Sequence, residues 1–407
     1  MLPFTDGVEA LWNRAGLPRL VQPLAQWVGT NILHNNPGDP SLYDSRYHVA
    51  LIVTLTFIAA VVTAIWTALG RRRAHPTLYK WLVAYLRFTL GLLMVDYGVI
   101  KIWQQQFRVP PRTFWLFTPY GAFTPFMVMT AFMGTSAFYQ VVTGVVELLA
   151  GVFVMLRRTA LLGALLSVAA MANVVMLNYG FRFGVTLFSA HILAIALFIV
   201  APTARRLFAF IVLHRPVAPR VPEPITSHPT GKWIASALGV LYLALAVGIN
   251  MRSGHVDYRD ERRAMIQGVL SGAYDVESFI LNGDTLPPLL TDTTRWQRLM
   301  VQRDGASGAV WVQPMQVFPQ PLKFTTAVEI DTVGRTFTFV WNATRVRWTY
   351  TQPDTDRVRL AGPHFVPANA QTRTRARELD DSVSITLRRI ELSTLPLLRP
   401  VPWITRP

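Results

Sequence analysis

The chain has 407 residues, of which 51% are apolar and only 15% charged, with a formal net charge of +16 and no cysteine. Without a thiol, disulfide exchange, thiolate-bound zinc, cysteine-ligated iron–sulfur clusters and covalently attached haem are all excluded. The positive charge is not a nucleic-acid footprint. Of the 39 Lys and Arg, 20 follow Met251, where 16 acidic residues nearly balance them, and no basic groove with interleaved aromatics is visible.

In chain order, residues 1–46 come first. Val8, Leu11, Trp12, Leu20, Leu24, Trp27 and Val28 recur there at near-helical spacing, interrupted by Pro18 and Pro23. This pattern predicts one or two short amphipathic helices in the membrane interface or packed over the mouth of a bundle. No cleavable leader is apparent, because the first long apolar stretch begins near residue 47 without a charged region before it.

Residues 47–250 then carry six segments long and apolar enough to span a bilayer core. They run from His48 to Gly70, Tyr79 to Gln106, Pro125 to Leu156, Thr159 to Asn178, Val185 to Ala201 and Trp233 to Asn250. Loops 71–80, 157–158 and 204–232 hold eleven Lys and Arg, against three in loops 107–125 and 179–184. The more basic set is expected on the cytoplasmic side, which puts both termini outside a bacterial inner membrane. Residues 251–407 change period. Thr336 to Trp341, Arg345 to Tyr350 and Val383 to Leu387 alternate, and Gly334, Pro353, Gly362 and Pro367 punctuate them. An antiparallel sandwich or barrel on the extracytoplasmic side is expected, its first two runs forming a hairpin across Asn342-Ala343-Thr344.

Ionisable residues within spans are costly and mark candidate sites. Here they are Arg87, Asp96, Lys101, Glu147 and His191. Arg87, Gly91, Met94, Gly98 and Lys101 share one stripe of the second span, flanked by Tyr97, while Asp96 points the opposite way. Ser136, Tyr139, Gln140, Thr143 and Glu147 share a stripe of the third. At about 1.5 Å rise per residue, Arg87 and Glu147 come to roughly 12 and 14 Å from the cytoplasmic side. An Arg87–Glu147 structural ion pair is therefore expected. Lys101, Asn173 and His191 lie about 8–10 Å below the outer end by the same measure and can converge on a pocket roofed by the aromatic loop 107–124. Weaker candidates are a haem held by His48 and His191, and a metal site at His255, Asp257, Asp260 and Glu261. The neighbouring Arg259, Arg262 and Arg263 favour a salt-bridged juxtamembrane helix instead, so no metal is expected. There is no nucleophile elbow, phosphate loop or dinucleotide fingerprint.

Tyr97-Gly98, Lys101, Gln106-Phe107, then Gly134, Ser136, Tyr139, Gly144 and Glu147, then Arg157-Arg158-Thr159 and Leu162-Gly163-Ala164, with Asn173 and Asn178 following, resemble the DoxX-like family of bacterial membrane proteins in its longer form with a C-terminal extension. The resemblance covers about residues 80–210. It implies a four-helix membrane bundle, made here of the second to fifth spans, and redox work near the quinone pool. Of the family's motif positions, Tyr97, Lys101, Tyr139, Glu147 and Asn173 are those that can bind something. The lack of cysteine departs from relatives that handle disulfides.

Two functions follow as expectations. One is a redox accessory subunit with a quinone-like ligand near Tyr97, Lys101, Tyr139, Asn173 and His191, since a quinone carbonyl needs hydrogen-bond donors in an apolar cleft. The other is a non-enzymatic scaffold or assembly factor whose β domain binds an envelope partner. A transporter would show interrupted helices and pseudo-symmetric halves, and neither is clear in the sequence.

Overall fold

The computed structural model describes residues 17–35, 44–70, 74–108, 112–218, 228–266, 270–292, 294–304, 307–315, 322–325, 328–341, 344–364 and 381–398. Nine α-helices lie among them: α1 (Leu17–Asn31), α2 (Arg46–Leu69), α3 (Pro76–Ile102), α4 (Thr113–Leu116), α5 (Pro125–Thr135), α6 (Ala137–Met155), α7 (Ala160–Gly180), α8 (Thr186–Ile211) and α9 (Pro229–Ile266). Six of these, α2, α3, α6, α7, α8 and α9, are long and apolar enough to cross a membrane. The chain is thus a multi-pass membrane protein with a C-terminal β domain. It divides into two compact units, residues 1–102 with 142–252 and residues 103–141 with 253–407. The triple arginine at 71–73, residues 1–16 of the expected amphipathic segment with Val8, Leu11 and Trp12, and residues 342 and 343 of the expected hairpin link lie outside the described residues.

In the first unit, α3, α6, α7 and α8 share a core of Leu90, Met94, Ala150, Val154, Ala164, Met171, Ile192, Ala196 and Val200. Hydrophobic burial offers little drive for helix association inside lipid, so close van der Waals packing has to supply it. Glycine makes that packing close here. A β-carbon on Gly98 would sit 2.6 Å from the Gly144 carbonyl oxygen, and one on Gly144 2.7 Å from that of Gly98. One further contact repeats the pattern seven residues along each helix, since a β-carbon on Gly151 would lie 2.7 Å from the Gly91 carbonyl oxygen. The antiparallel backbones of α3 and α6 therefore touch along two glycine pairs. At the next corner Gly163 of α7 meets the Val154 amide of α6 as closely.

Three of the predicted spans differ in the structure: the sixth, expected over Trp233 to Asn250, is part of α9, which continues to Ile266. The third is broken, because Ser136 is extended (φ −125°, ψ 97°) between α5 and α6. Its hydroxyl accepts the Tyr139 amide at 3.2 Å and so starts a new helix after the small, hydroxyl-rich Gly134-Thr135. The fifth, expected to stop at Ala201, continues as α8 through Pro202 to Ile211. At the opposite end of α8 the Asp44 carboxylate, which precedes α2, accepts the Thr186 and Leu187 amides, the latter at 3.0 Å. An acidic group on these otherwise unpaired amides also suits the positive end of the helix dipole.

The second unit is dominated by an antiparallel sheet of ten strands: β1 (Gly272–Leu281), β2 (Asp284–Thr285), β3 (Trp296–Asp304), β4 (Ser307–Pro314), β5 (Leu322–Thr325), β6 (Val328–Asp331), β7 (Thr336–Trp341), β8 (Thr344–Thr351), β9 (Arg357–Pro363) and β10 (Ser382–Ile390). The order is β5-β4-β3-β1-β10-β9-β8-β7-β6, with β2 paired to β1. The ends curl together, β5 beside β7 and β4 beside β6, so the sheet is nearly a barrel. The expected hairpin is β7–β8, with Phe337 opposite Trp348 and Phe339 opposite Val346. These four side chains point inward with Phe279, Trp296, Ile385 and Leu387. Trp296 and Trp348 stack, their ring centres 5.6 Å apart.

The glycine contacts carry the first prediction. Gly98→Leu or Gly144→Leu should destabilise the detergent-solubilised protein by about 1–3 kcal/mol, the usual cost of overpacking. Gly248→Ala, which would meet nothing within 4 Å, should leave thermal unfolding unchanged or raise it slightly.

Candidate functional site

Lys101 lies in the last turn of α3, one turn beyond Gly98, and Glu147 lies one turn beyond Gly144 on α6. Side chains three and four apart on a helix share a face. The glycine contact therefore sets the two charged groups in one interface. The Lys101 ammonium donates to Glu147 Oε1. Both residues are buried, with 5% and 3% of their surface exposed. The Lys101 nitrogen also lies 5.9 Å from the centre of the Tyr97 ring, within reach of a cation–π attraction. The second carboxylate oxygen, Oε2, is buried and has no hydrogen-bond partner.

The expected Arg87–Glu147 pair does not form. Arg87 instead donates through Nε to the Val154 carbonyl at 3.0 Å and through an Nη to that of Met155 at 2.8 Å. These are among the last carbonyls of α6, which no amide within the helix can satisfy. Register explains the difference. Gly91 packs against Gly151, so Arg87, one turn before Gly91, comes opposite the end of α6. Glu147 is eight residues back from that end, about 12 Å at the helical rise. Depths counted from the ends of apolar runs place two helices correctly only if those ends are level, and α3 begins well before α6 ends.

Of the five residues expected to converge on a ligand, only Tyr97 and Lys101 adjoin. Tyr139 is 41% exposed and packs edge-on against Phe132. Asn173 is exposed on α7. His191 is exposed on α8, its Nδ1 2.6 Å from the Leu187 carbonyl oxygen one turn back. His48 is held separately by the Ser45 hydroxyl at 2.9 Å. Among the described residues no cluster of three or more His, Asp or Glu is placed to hold a metal ion.

The aromatic loop after α3, expected as a roof over a bundle pocket, belongs to the β unit. Its groups are built into the β unit. Phe114 stacks on Trp311 of β4, ring centres 4.7 Å apart and planes 19° from parallel. The Arg298 guanidinium sits 4.9 Å from the Phe117 ring, and Gln313 Nε2 donates to the Phe117 carbonyl at 3.1 Å. Phe114 and Phe117 thereby cover an apolar patch of Ala273, Met300, Ala309 and Trp311 on the side of the sheet away from the barrel core. Alternating strands with apolar residues on both faces need such a cover.

The start of the same connector is held by groups the sequence did not single out for this role. Gln140, fully buried in the first turn of α6, clasps the Phe107 main chain, accepting its amide at 3.3 Å and donating to its carbonyl at 2.9 Å. Gln105 donates to the Gly254 carbonyl at 3.2 Å, and Trp103 packs on His255 and Tyr258 of the continued α9. In the helical unit Asn178 donates to the Ser189 hydroxyl at 3.1 Å and links α7 to α8. Gln140 and Asn178 were visible as polar groups in spans; nothing local gave their partners.

No family model matches the chain, and neither the curated proteins nor the solved structures contain a match to it.

The buried pair makes a second prediction. Removing one charge strands the other, so Lys101→Met or Glu147→Leu alone should cost about 3–5 kcal/mol. The double variant should recover most of that loss, because two apolar side chains fit the same low-dielectric interface. A double-mutant cycle of thermal or denaturant unfolding on the full chain measures the coupling, and additive single effects would contradict it.

Proposed function

We propose that the chain is a scaffold of the bacterial inner membrane, related to the DoxX-like family, which holds its β-rich domain on the extracytoplasmic face for an envelope partner. One observation carries this reading: the connector between the second and third spans is part of the β unit, through Phe114 and Phe117. A domain on a flexible tether needs no such connection. A β unit that takes in residues 103–141 as well as 253–407 is joined to the helical unit by more than one chain crossing, as suits a domain presented to a partner. The bias of Lys and Arg toward loops 71–80, 157–158 and 204–232 supports the orientation, with both termini outside. Exposed Arg347 and Arg359 on the outer face of β8 and β9 are suitable reporters.

Since the chain has no cysteine, single cysteines at these positions are unique handles. Arg347→Cys and Arg359→Cys should react in spheroplasts with a membrane-impermeant, photoactivatable maleimide and yield a discrete cross-linked adduct. Adding Phe114→Ser and Phe117→Ser should abolish the adduct while the protein remains in the membrane. Labelling only after permeabilisation, or labelling without an adduct, would count against the scaffold.

A second reading, a redox accessory subunit with a quinone-like ligand, is favoured by the Lys101–Glu147 pair beside Tyr97. An ammonium and an unpartnered carboxylate oxygen offer a donor and an acceptor in an apolar setting. Organic extraction of purified protein should then return a quinone in near-equal amount, lost in Lys101→Met. A protein free of quinone after purification from quinone-rich membranes would leave only the scaffold.

A further inference from the structure

The last turns of α8 form a second distinctive surface. A bilayer core of about 30 Å is crossed by roughly 20 helical residues, and the 26 residues of α8 exceed that by about two turns. The excess follows Pro202 and carries Arg205 and Arg206 together with large apolar side chains left open. Phe208, Phe210 and Ile211 are 55%, 60% and 61% exposed. Neither arginine has an ion-pair partner among the described residues, nor does Arg215.

The backbone at this end is turned back on itself. Leu213 N–H bonds the Phe208 carbonyl and Arg215 N–H the Ala209 carbonyl, at 3.2 and 3.0 Å. The reversal is made by His214 in the left-handed region, at φ 50°. Glycine is the usual residue there, and a side chain at that position is disfavoured unless the local structure requires the turn. The outcome is an open groove of about 540 Å³ lined by Phe210, Ile211, His214, Arg215 and Pro216. Apolar walls meet a cationic rim at the end of a membrane-spanning helix.

We propose that this groove binds an anionic phospholipid of the adjoining leaflet, its acyl region against Phe210 and Ile211 and its phosphate among Arg205, Arg206 and Arg215. Charge complementarity selects the anionic lipid: three guanidinium groups without an ion-pair partner among the described residues attract a net negative phosphodiester more strongly than a zwitterionic one. The apolar wall selects a lipid over a free phosphate. Arginine also suits phosphate geometrically, since its planar fork presents paired donors.

Native mass spectrometry of the full-length protein, with phosphatidylglycerol or phosphatidylcholine added to the micelles, tests this. The wild type should retain phosphatidylglycerol preferentially, and raising the salt concentration should weaken that retention. Each of Arg205→Gln, Arg206→Gln and Arg215→Gln should lower it about fivefold, and the triple variant should lose the preference while phosphatidylcholine retention stays the same. His214→Gly, which keeps the left-handed turn, should bind as the wild type does. Equal retention of the two lipids by the wild type would overturn the proposal without any variant. So would undiminished phosphatidylglycerol retention in a folded triple variant, or glycerol phosphate binding as tightly as the lipid.

Discussion

A charged side chain inside the apolar thickness of a membrane protein has to meet its complement within the protein, and in this chain the contact between α3 and α6 meets that demand. Gly98 and Gly144 bring the two backbones together, and the same approach sets Lys101 and Glu147 in one interface. Neither element stands without the other. A larger residue at either glycine would separate the helices and open the ion pair, and an uncompensated charge would favour letting lipid or water between the helices. Arg87 obeys the same rule differently, by donating to the free carbonyls that end α6. Polar satisfaction thus fixes both the spacing and the register of the two helices.

The second unit has its own polar fixings: the first turn of α6 holds Gln140 at the Phe107 main chain. The connector that follows runs through Phe114 and Phe117 into an apolar patch of the β sheet. Within the second unit, packed and hydrogen-bonded groups tie this connector to β3 and β4.

Much of the architecture was legible because its signals are local. A span is a run of about 20 apolar residues, and an inward strand face is an alternation, so the six spans α2, α3, α6, α7, α8 and α9 and the β7, β8 and β10 strands could be read off residue by residue. The closure of β1 onto β10 could not, since the partners are more than 100 residues apart and nothing in either strand names the other. The site shows the same division. Stripes gave the angular position of Lys101, Tyr97 and Glu147 correctly but left their partners open. Depth counted from each helix end chose Arg87 for Glu147, and the offset between α3 and α6 reversed that choice. Asn173 and His191 were matched to Lys101 by depth, but both side chains are exposed on their helices, as is that of Tyr139. The break at Ser136 had a visible signal in Gly134-Thr135-Ser136, overridden by the unbroken apolar run on either side.

The pairing of Lys101 with Glu147 in a lipid bilayer is open to direct observation. Solid-state NMR of the full-length protein in bilayers, with labelled lysine side-chain nitrogen and glutamate carboxyl carbon, should give a through-space correlation between Lys101 Nζ and Glu147 Cδ that vanishes in Lys101→Met. A carboxyl signal of Glu147 correlated with the Arg87 guanidinium instead, or with water alone, would contradict the register on which the helical unit is built.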